Sequence, residues 1–217
     1  MTLRVGVLGV QGAVSEHVDA LLAAARSQRR KVEVVAVRTP GDLEGLHGLV
    51  LPGGESTTIS RLLRSSGLQP VVVERAKAGN LALFGTCAGL ILLSSSATHD
   101  VADKDIELLG LVEAEVDRNA FGRQKDSFEG ELAVEGVGPV PAVFIRAPVV
   151  TKAWGDTAVL ATNGRGICAV RKGRILGTAF HPELGGDTRL HELFLDLAAE
   201  AAAAGSQPKK GRGSRRT

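Results

Sequence analysis

The apolar run Leu81-Ala82-Leu83-Phe84 stops at Gly85-Thr86-Cys87-Ala88-Gly89, and a second apolar run, Leu90-Ile91-Leu92-Leu93, leaves that pentapeptide. An unbroken apolar run suits a strand buried on both faces. The glycines permit a turn too sharp for residues with side chains. Strand, strained turn and helix in this order, with the pattern G-x-C-x-G, make a cysteine version of a nucleophile elbow. Cys87 would then sit at a helix N-terminus, where backbone N–H groups and the helix dipole favour thiolate over thiol. Taken alone, the same cysteine suits a buried small hydrophobe equally well.

The flanking sequence has the matching texture. Leu3 to Val10 is almost continuously apolar and predicts a buried strand; Val14, Val18, Leu21, Leu22 and Ala25 then recur at helical spacing. Val32–Val37 and Gly48–Leu51 predict two more strands, the second ended by Pro52-Gly53-Gly54. A helix is expected through Ile59, Leu62 and Leu63 with Gly67 near its end, and another from Pro70 to Gly79. Alternating strands and helices of these lengths predict βαβ units, hence an α/β fold with a mostly parallel sheet and helices on both faces. From about Leu108 the texture changes to short strand-like runs: 109–116, 130–134, 143–146, 159–162, 167–170 and 175–180. Some of these are expected to pair antiparallel at one edge. A last helix is expected from about Asp187 to Ala204.

Composition removes several function classes. Of the 217 residues one is Trp and none is Tyr, which argues against aromatic platforms for single-stranded nucleic acid. Two cysteines, Cys87 and Cys168, imply no disulfide framework and fit a reducing, cytoplasmic setting. The first residues lead straight into a strand, so no signal peptide is expected, and no apolar stretch nears membrane-spanning length. The net charge of +2 misleads, because Lys209, Lys210, Arg212, Arg215 and Arg216 lie together at the end. Without them the remainder is net acidic. Residues 1–204 therefore read as one domain and 205–217 as a basic tail, expected to be disordered.

In open parallel sheets, ligands bind at the carboxyl ends of the strands. Three loops fall there: Val10-Gln11-Gly12, Pro52 to Thr57, and the Cys87 turn. A fourth element is Ala179-Phe180-His181-Pro182-Glu183-Leu184. Residues two apart in an extended segment point the same way, and Pro182 biases His181 toward extended backbone. His181 and Glu183 can then share one side, with the carboxylate orienting the imidazole. An imidazole beside Cys87 takes the thiol proton and later returns it to a leaving group. The N–H of Ala88, after the nucleophile, is one oxyanion donor; the Gly53-Gly54 pair is the candidate for the second. His17, His47, His99 and His191 lack such context and read as surface or structural residues.

Together these motifs resemble the class I, triad-type glutamine amidotransferases, in which a Cys-His-Glu triad on a flavodoxin-like sheet hydrolyses glutamine to glutamate and ammonia. The chain order Cys87…His181-x-Glu183 matches that family. GVLGVQGAVSEH (6–17), LPGGESTT (51–58), GTCAGLILL (85–93), RNAFGRQKDSFE (118–129), FIRAP (144–148) and AFHPEL (179–184) resemble, more narrowly, the glutaminase subunits of pyridoxal 5′-phosphate synthases. The resemblance implies Cys87 as nucleophile, His181 as general base and acid, and Glu183 as its orienter. It narrows the second oxyanion donor to Gly54, beside Ala88. Glutamine would be held by Gly54, Glu55, Ser56, Arg118, Ile145 and Arg146, with no metal or cofactor. It further implies a (β/α)₈-barrel synthase partner, in a hetero-oligomer with a dodecameric synthase core, and a role for Gln11 in activation by that partner. A glutaminase for another pathway, such as imidazole glycerol phosphate synthesis, and a non-catalytic binding module on the same fold are the alternative readings.

Overall fold

The computed structural model describes residues 2–9, 11–98, 106–118 and 127–205. β1 (Leu3–Leu8) leads into α1 (Val14–Ser27), and β2 (Val32–Val37) runs parallel to β1. β3 (Gly48–Leu51), α2 (Ser56–Ser65), α3 (Leu68–Lys77) and β4 (Ala82–Thr86) follow, with β3 parallel to both β1 and β4. A short helix, α4 (Ala88–Leu93), leaves the turn at Cys87. Next come β5 (Ser94–Thr98), β6 (Val112–Asp117), β7 (Phe128–Val134) and β8 (Gly138–Phe144). The last strands are β9 (Val149–Ala153), β10 (Ala158–Asn163), β11 (Gly166–Lys172) and β12 (Ile175–Thr178), before α5 (Arg189–Gly205).

Among the described residues, ten strands form one sheet in the order β2-β1-β3-β4-β12-β11-β9-β6-β5, with β10 against β11. β12 lies parallel to β4, pairing Thr178 with Thr86. Beyond it β11, β9 and β6 alternate in direction, and β5 is parallel to β6. β7 and β8 form a separate antiparallel ribbon. The α/β class, the mostly parallel centre and the antiparallel edge therefore stand as expected.

Strand alternation distributes the core over two layers. In β4, Ala82 and Phe84 face Leu21 and Ala24 of α1 and Phe194 and Leu197 of α5. Leu81 and Leu83 face the other way, toward Ile59 and Leu63 of α2 and Leu68 and Val72 of α3. Each Leu or Phe buried this completely stabilises the fold by roughly 2 kcal/mol. α4 starts hard against β3: a Cβ on Gly89 would lie 2.0 Å from the Leu51 carbonyl oxygen. No other residue allows that approach.

Several boundaries move. β1 ends at Leu8, and Val10 lies outside the described residues. β12 ends at Thr178, because the chain turns there toward the site. β5 and β9 were not anticipated. Ser94-Ser95-Ser96-Ala97-Thr98 carries no apolar pattern and is a strand only because β6 is beside it. β8 covers 138–144 rather than 143–146 and includes Pro139 and Pro141. A two-stranded ribbon gives it an open edge, where the N–H groups missing from proline are not needed. Of the expected basic tail only Gly205, the last residue of α5, is described. Among the described residues, no helix is long and apolar enough to cross a membrane.

Candidate active site

Because β1, β3, β4 and β12 are parallel, the loops that follow them meet at one edge of the sheet. With the residues that follow β6 and β8, they enclose a cavity of about 690 Å³ lined by Gly53, Gly54, Glu55, Ser56, Cys87, Ala88, Arg118, Ile145, Arg146 and His181, among others. That volume suits a small-molecule ligand. Ten of the residues singled out by sequence are thus brought together.

Cys87 has φ 49° and ψ −104°. For a residue with a Cβ this region costs on the order of 1–3 kcal/mol. The surroundings hold it there: its N–H donates to the Thr178 carbonyl at 2.8 Å, and its carbonyl accepts from the Ile91 N–H at 3.2 Å. Ala88 opens α4, so its N–H is among those a helix leaves without an intrahelical partner.

His181 is anchored through its own N–H, which donates to the Val143 carbonyl at 2.8 Å. Its Nδ1 lies 2.8 Å from Glu183 Oε1. The expected pairing is present, but not through an extended segment. Pro182–Leu184 form a 3₁₀ turn, and the turn swings the Glu183 carboxylate back under the ring. The Glu183 side chain is fully buried and does not line the cavity. Burial opposes a charged imidazole at His181. Hydrogen bonding to Cys87 and Glu183 outweighs it, and His181 is pushed up to about 10.

Gly53 has a role that sequence reasoning did not separate from the turn. A Cβ there would lie 2.4 Å from His181 Cε1 and 3.4 Å from Cys87 Cβ. The residue is glycine because the imidazole occupies the space. Its N–H donates to Thr86 Oγ1 at 3.0 Å, and its carbonyl accepts from the Ala13 N–H at 3.3 Å. The trans peptide then turns the Gly54 N–H away from the β1–α1 loop. Gln11 does not line the cavity, but its Oε1 would lie 3.7 Å from a Cβ on Gly54. Gly12, in the loop expected at the site, lines the cavity; Ala13 and Glu16 of the same segment also line it and were missed.

On the substrate side, Arg118 Nη2 donates to Ser56 Oγ at 3.1 Å. Most of the motif that Arg118 opens, residues 119–126, lies outside the described residues. Arg146 reaches the cavity from a backbone with φ 44°, next to the exposed Ile145. Glu55 caps α2, accepting from the N–H groups of Thr57 and Thr58 and from the Thr57 hydroxyl. Partial burial acts against its charge. The Thr57 and Thr58 hydrogen bonds prevail, and its carboxyl is lowered to about 2. Among the described residues, no group of three His, Cys, Asp or Glu is placed to hold a metal ion.

Two histidines read as surface or structural are in fact fully buried behind the site. His17 and His191 are both inaccessible to solvent. His17 Nε2 is 3.1 Å from Thr86 Oγ1 and 3.5 Å from Glu183 Oε2; its Nδ1 is 3.1 Å from His191 Nε2. Burial, then the neighbouring His191 and His181, hold His17 well below its ordinary value; burial brings His191 to about 4. His47 is half-buried and accepts from the Arg4 N–H at 3.0 Å, while His99 lies outside the described residues.

A glutamine amidotransferase family model, described as the SNO family, matches residues 7–200. The chain belongs to the SNO glutamine amidotransferase family. Relatives within its range are close. The pyridoxal 5′-phosphate synthase subunit PdxT of Methanoregula boonei is 51% identical over 197 residues, 89% of this chain and 97% of that protein. The protein of the same name from Thermus thermophilus is 49% identical over 194 residues, 89% and 97% of the two chains. A crystal structure titled glutamine amidotransferase superposes with a TM-score of 0.79 at 46% identity, covering 90% of this chain and 98% of that one. A glutamine amidotransferase from Thermotoga maritima, 13% identical with a TM-score of 0.57 over 94% and 96% of the chains, shares the fold of this SNO-family enzyme.

Proposed function

We infer that this chain is the glutaminase subunit of a pyridoxal 5′-phosphate synthase, hydrolysing L-glutamine to L-glutamate and ammonia in the cytoplasm. The observation that carries the chemistry is Cys87, strained at an elbow in the cavity wall, beside a buried His181–Glu183 pair. His181 Nδ1 is engaged by Glu183, which leaves Nε2 for the sulfur. Cys87 Sγ attacks the side-chain amide carbon as thiolate, the proton residing on His181. The N–H groups of Ala88 and Gly54 stabilise the resulting oxyanion. His181 passes its proton to the departing nitrogen, so ammonia leaves and a thioester remains. His181 then deprotonates water, which attacks the thioester; collapse returns the sulfur and releases glutamate.

The recognition side fits free glutamine. Arg118, held by Ser56, and Arg146 complement the α-carboxylate. Glu55, kept ionised, has acceptor capacity left for the α-ammonium. Ile145 covers the aliphatic stem. Residues 1–204 form the catalytic unit, and 205–217 stand outside it.

Ammonia released into neutral water becomes ammonium, which is not a nucleophile. The subunit therefore works docked on a synthase partner, a (β/α)₈ barrel in a dodecameric core, with Gln11 at the contact that activates it. Ammonia release from glutamine, with and without such a synthase, tests the reading. Low activity alone, a clear rise on addition and no activity in Cys87→Ala are expected; an unimpaired Cys87→Ala ends the assignment.

A further inference from the structure

Glu183 spends only one oxygen on His181. Its Oε1 receives His181 Nδ1–H, whereas Oε2 is buried and has no hydrogen bond. A buried anionic oxygen without a donor is costly, by roughly 1–3 kcal/mol or more. What faces it is His17 Nε2, at 3.5 Å.

Which ring atom of His17 carries the proton is decided two rings away. His191 Nδ1 is buried and unpartnered among aromatic rings, with Phe84 edge-on at 5.5 Å between centroids. Were the His191 proton on Nδ1, an N–H would be left unsatisfied there. His17 would have to donate from Nδ1 to His191, and its Nε2 lone pair would face the Glu183 carboxylate. The other arrangement avoids both penalties, and it costs only the Thr86 hydroxyl proton its acceptor at His17 Nε2, a neutral donor instead of a lone pair set against a carboxylate. His191 donates from Nε2 to His17 Nδ1, and His17 presents Nε2–H to Thr86 Oγ1 and Glu183 Oε2. Thr86 Oγ1 has two lone pairs, one for this donor and one for the Gly53 N–H. Both rings are neutral at neutral pH, so one proton each suffices.

We propose that His17, kept in its Nε2–H tautomer by His191, is a positioning residue that holds Glu183 and, through Thr86, Gly53 against His181 in the working geometry. The inference rests on the triad reading above. Residues in α1 and α5 thereby set the orientation of a carboxylate in the turn after β12, and of a glycine in the loop after β3. Outer partners that orient metal ligands contribute about 10–100-fold, and the same scale is expected for one that orients a carboxylate.

The test uses the full-length chain, with its synthase partner for the turnover assays. His17→Leu is expected to lower kcat about 10–100-fold with KM within about threefold. It should also move the pH midpoint of Cys87 alkylation by iodoacetamide upward, because a poorly supported His181 holds its proton less well. His17→Gln, which keeps an N–H donor at similar reach, should recover most of the loss. On a Glu183→Gln background, His17→Leu should lower kcat roughly several-fold less than it does in the wild type, because the share that passes through that carboxylate is already lost and only the share through Thr86 and Gly53 remains. If His17→Leu does not fold, His191→Leu probes the same pair and should show a smaller fall in the same direction. Unchanged kcat and alkylation profile, equal damage from Leu and Gln at position 17, or multiplicative loss with Glu183→Gln each overturn the inference. Activity in Cys87→Ala would instead overturn the triad beneath it, whereas an inactive Cys87→Ala beside a fully active His17→Leu sinks the positioning role alone.

Discussion

Cys87 and Cys168 are both free thiols, 7% and 1% exposed, on neighbouring parts of one sheet, yet their surroundings make them different reagents. Cys87 sits on a strained turn at the carboxyl end of β4, facing a cavity and an imidazole that is charged at neutral pH. Cys168 lies inside β11, where the pairing with β10 shifts register, and its thiol donates to the Gly166 carbonyl at 3.6 Å. Burial raises its thiol to about 11, so it stays protonated. Reactivity is therefore a property of position, of what the backbone exposes and what stands beside the sulfur. The residue type contributes the same atom in both cases.

The largest expected contrast is in turnover. Cys87→Ala should reduce glutamine hydrolysis on the order of 10⁴-fold or more, while Cys168→Ala stays within about twofold. Comparable losses would erase the distinction. Next comes the space around the base. Gly53→Ala places a methyl where His181 stands, so kcat should fall about 100-fold while circular dichroism and Tm change little. A fully active Gly53→Ala would mean that the ring is free to move aside. Labelling offers a direct comparison of the two sulfurs: iodoacetamide at pH 7, followed by peptide mapping, should modify Cys87 roughly 100-fold faster than Cys168. Cys168 should become competitive only as pH nears its raised value of about 11.

A subtler contrast lies in the pH dependence of stability. His181 is protonated in the folded chain up to about 10, and its ordinary value of about 6.5 applies once the chain unfolds. Its contribution is fully present below about 6.5 and is lost as pH rises through about 10, since the native state binds the extra proton in that window. The stability difference between the wild type and His181→Ala should therefore shrink from pH 6 to pH 10. A difference that widens would reverse the assignment. The smallest effect is expected at the second cysteine, where Cys168→Ala should cost about 1 kcal/mol in denaturant unfolding, the usual scale for a small buried deletion.

Much of this site is written in local sequence. The elbow at Cys87, the loop at Gly53-Gly54 and the His181-x-Glu183 pair are each a few residues long, and all three come to the same end of the sheet. Glu183 meets His181 by a 3₁₀ turn instead of an extended alternation, because proline can open either. Less visible were β5, whose serines carry no apolar pattern, and the burial of His17 and His191, whose helices read as ordinary amphipathic elements. Gly53 was legible as a turn residue and not as the space reserved for an imidazole.

Sequence alone determined the strand–turn–helix at Cys87, the alternation that builds a parallel sheet, and the residue types at the strand ends. These follow from dihedral preference and periodicity, which act over a few neighbours. Only the tertiary structure decided which groups meet across the layers. His17 reaches Thr86 over 69 positions and His191 over 174, and no local pattern specifies either contact. They exist because α1 and α5 pack on the same face of β4, where burial leaves each polar atom no partner but another chain segment.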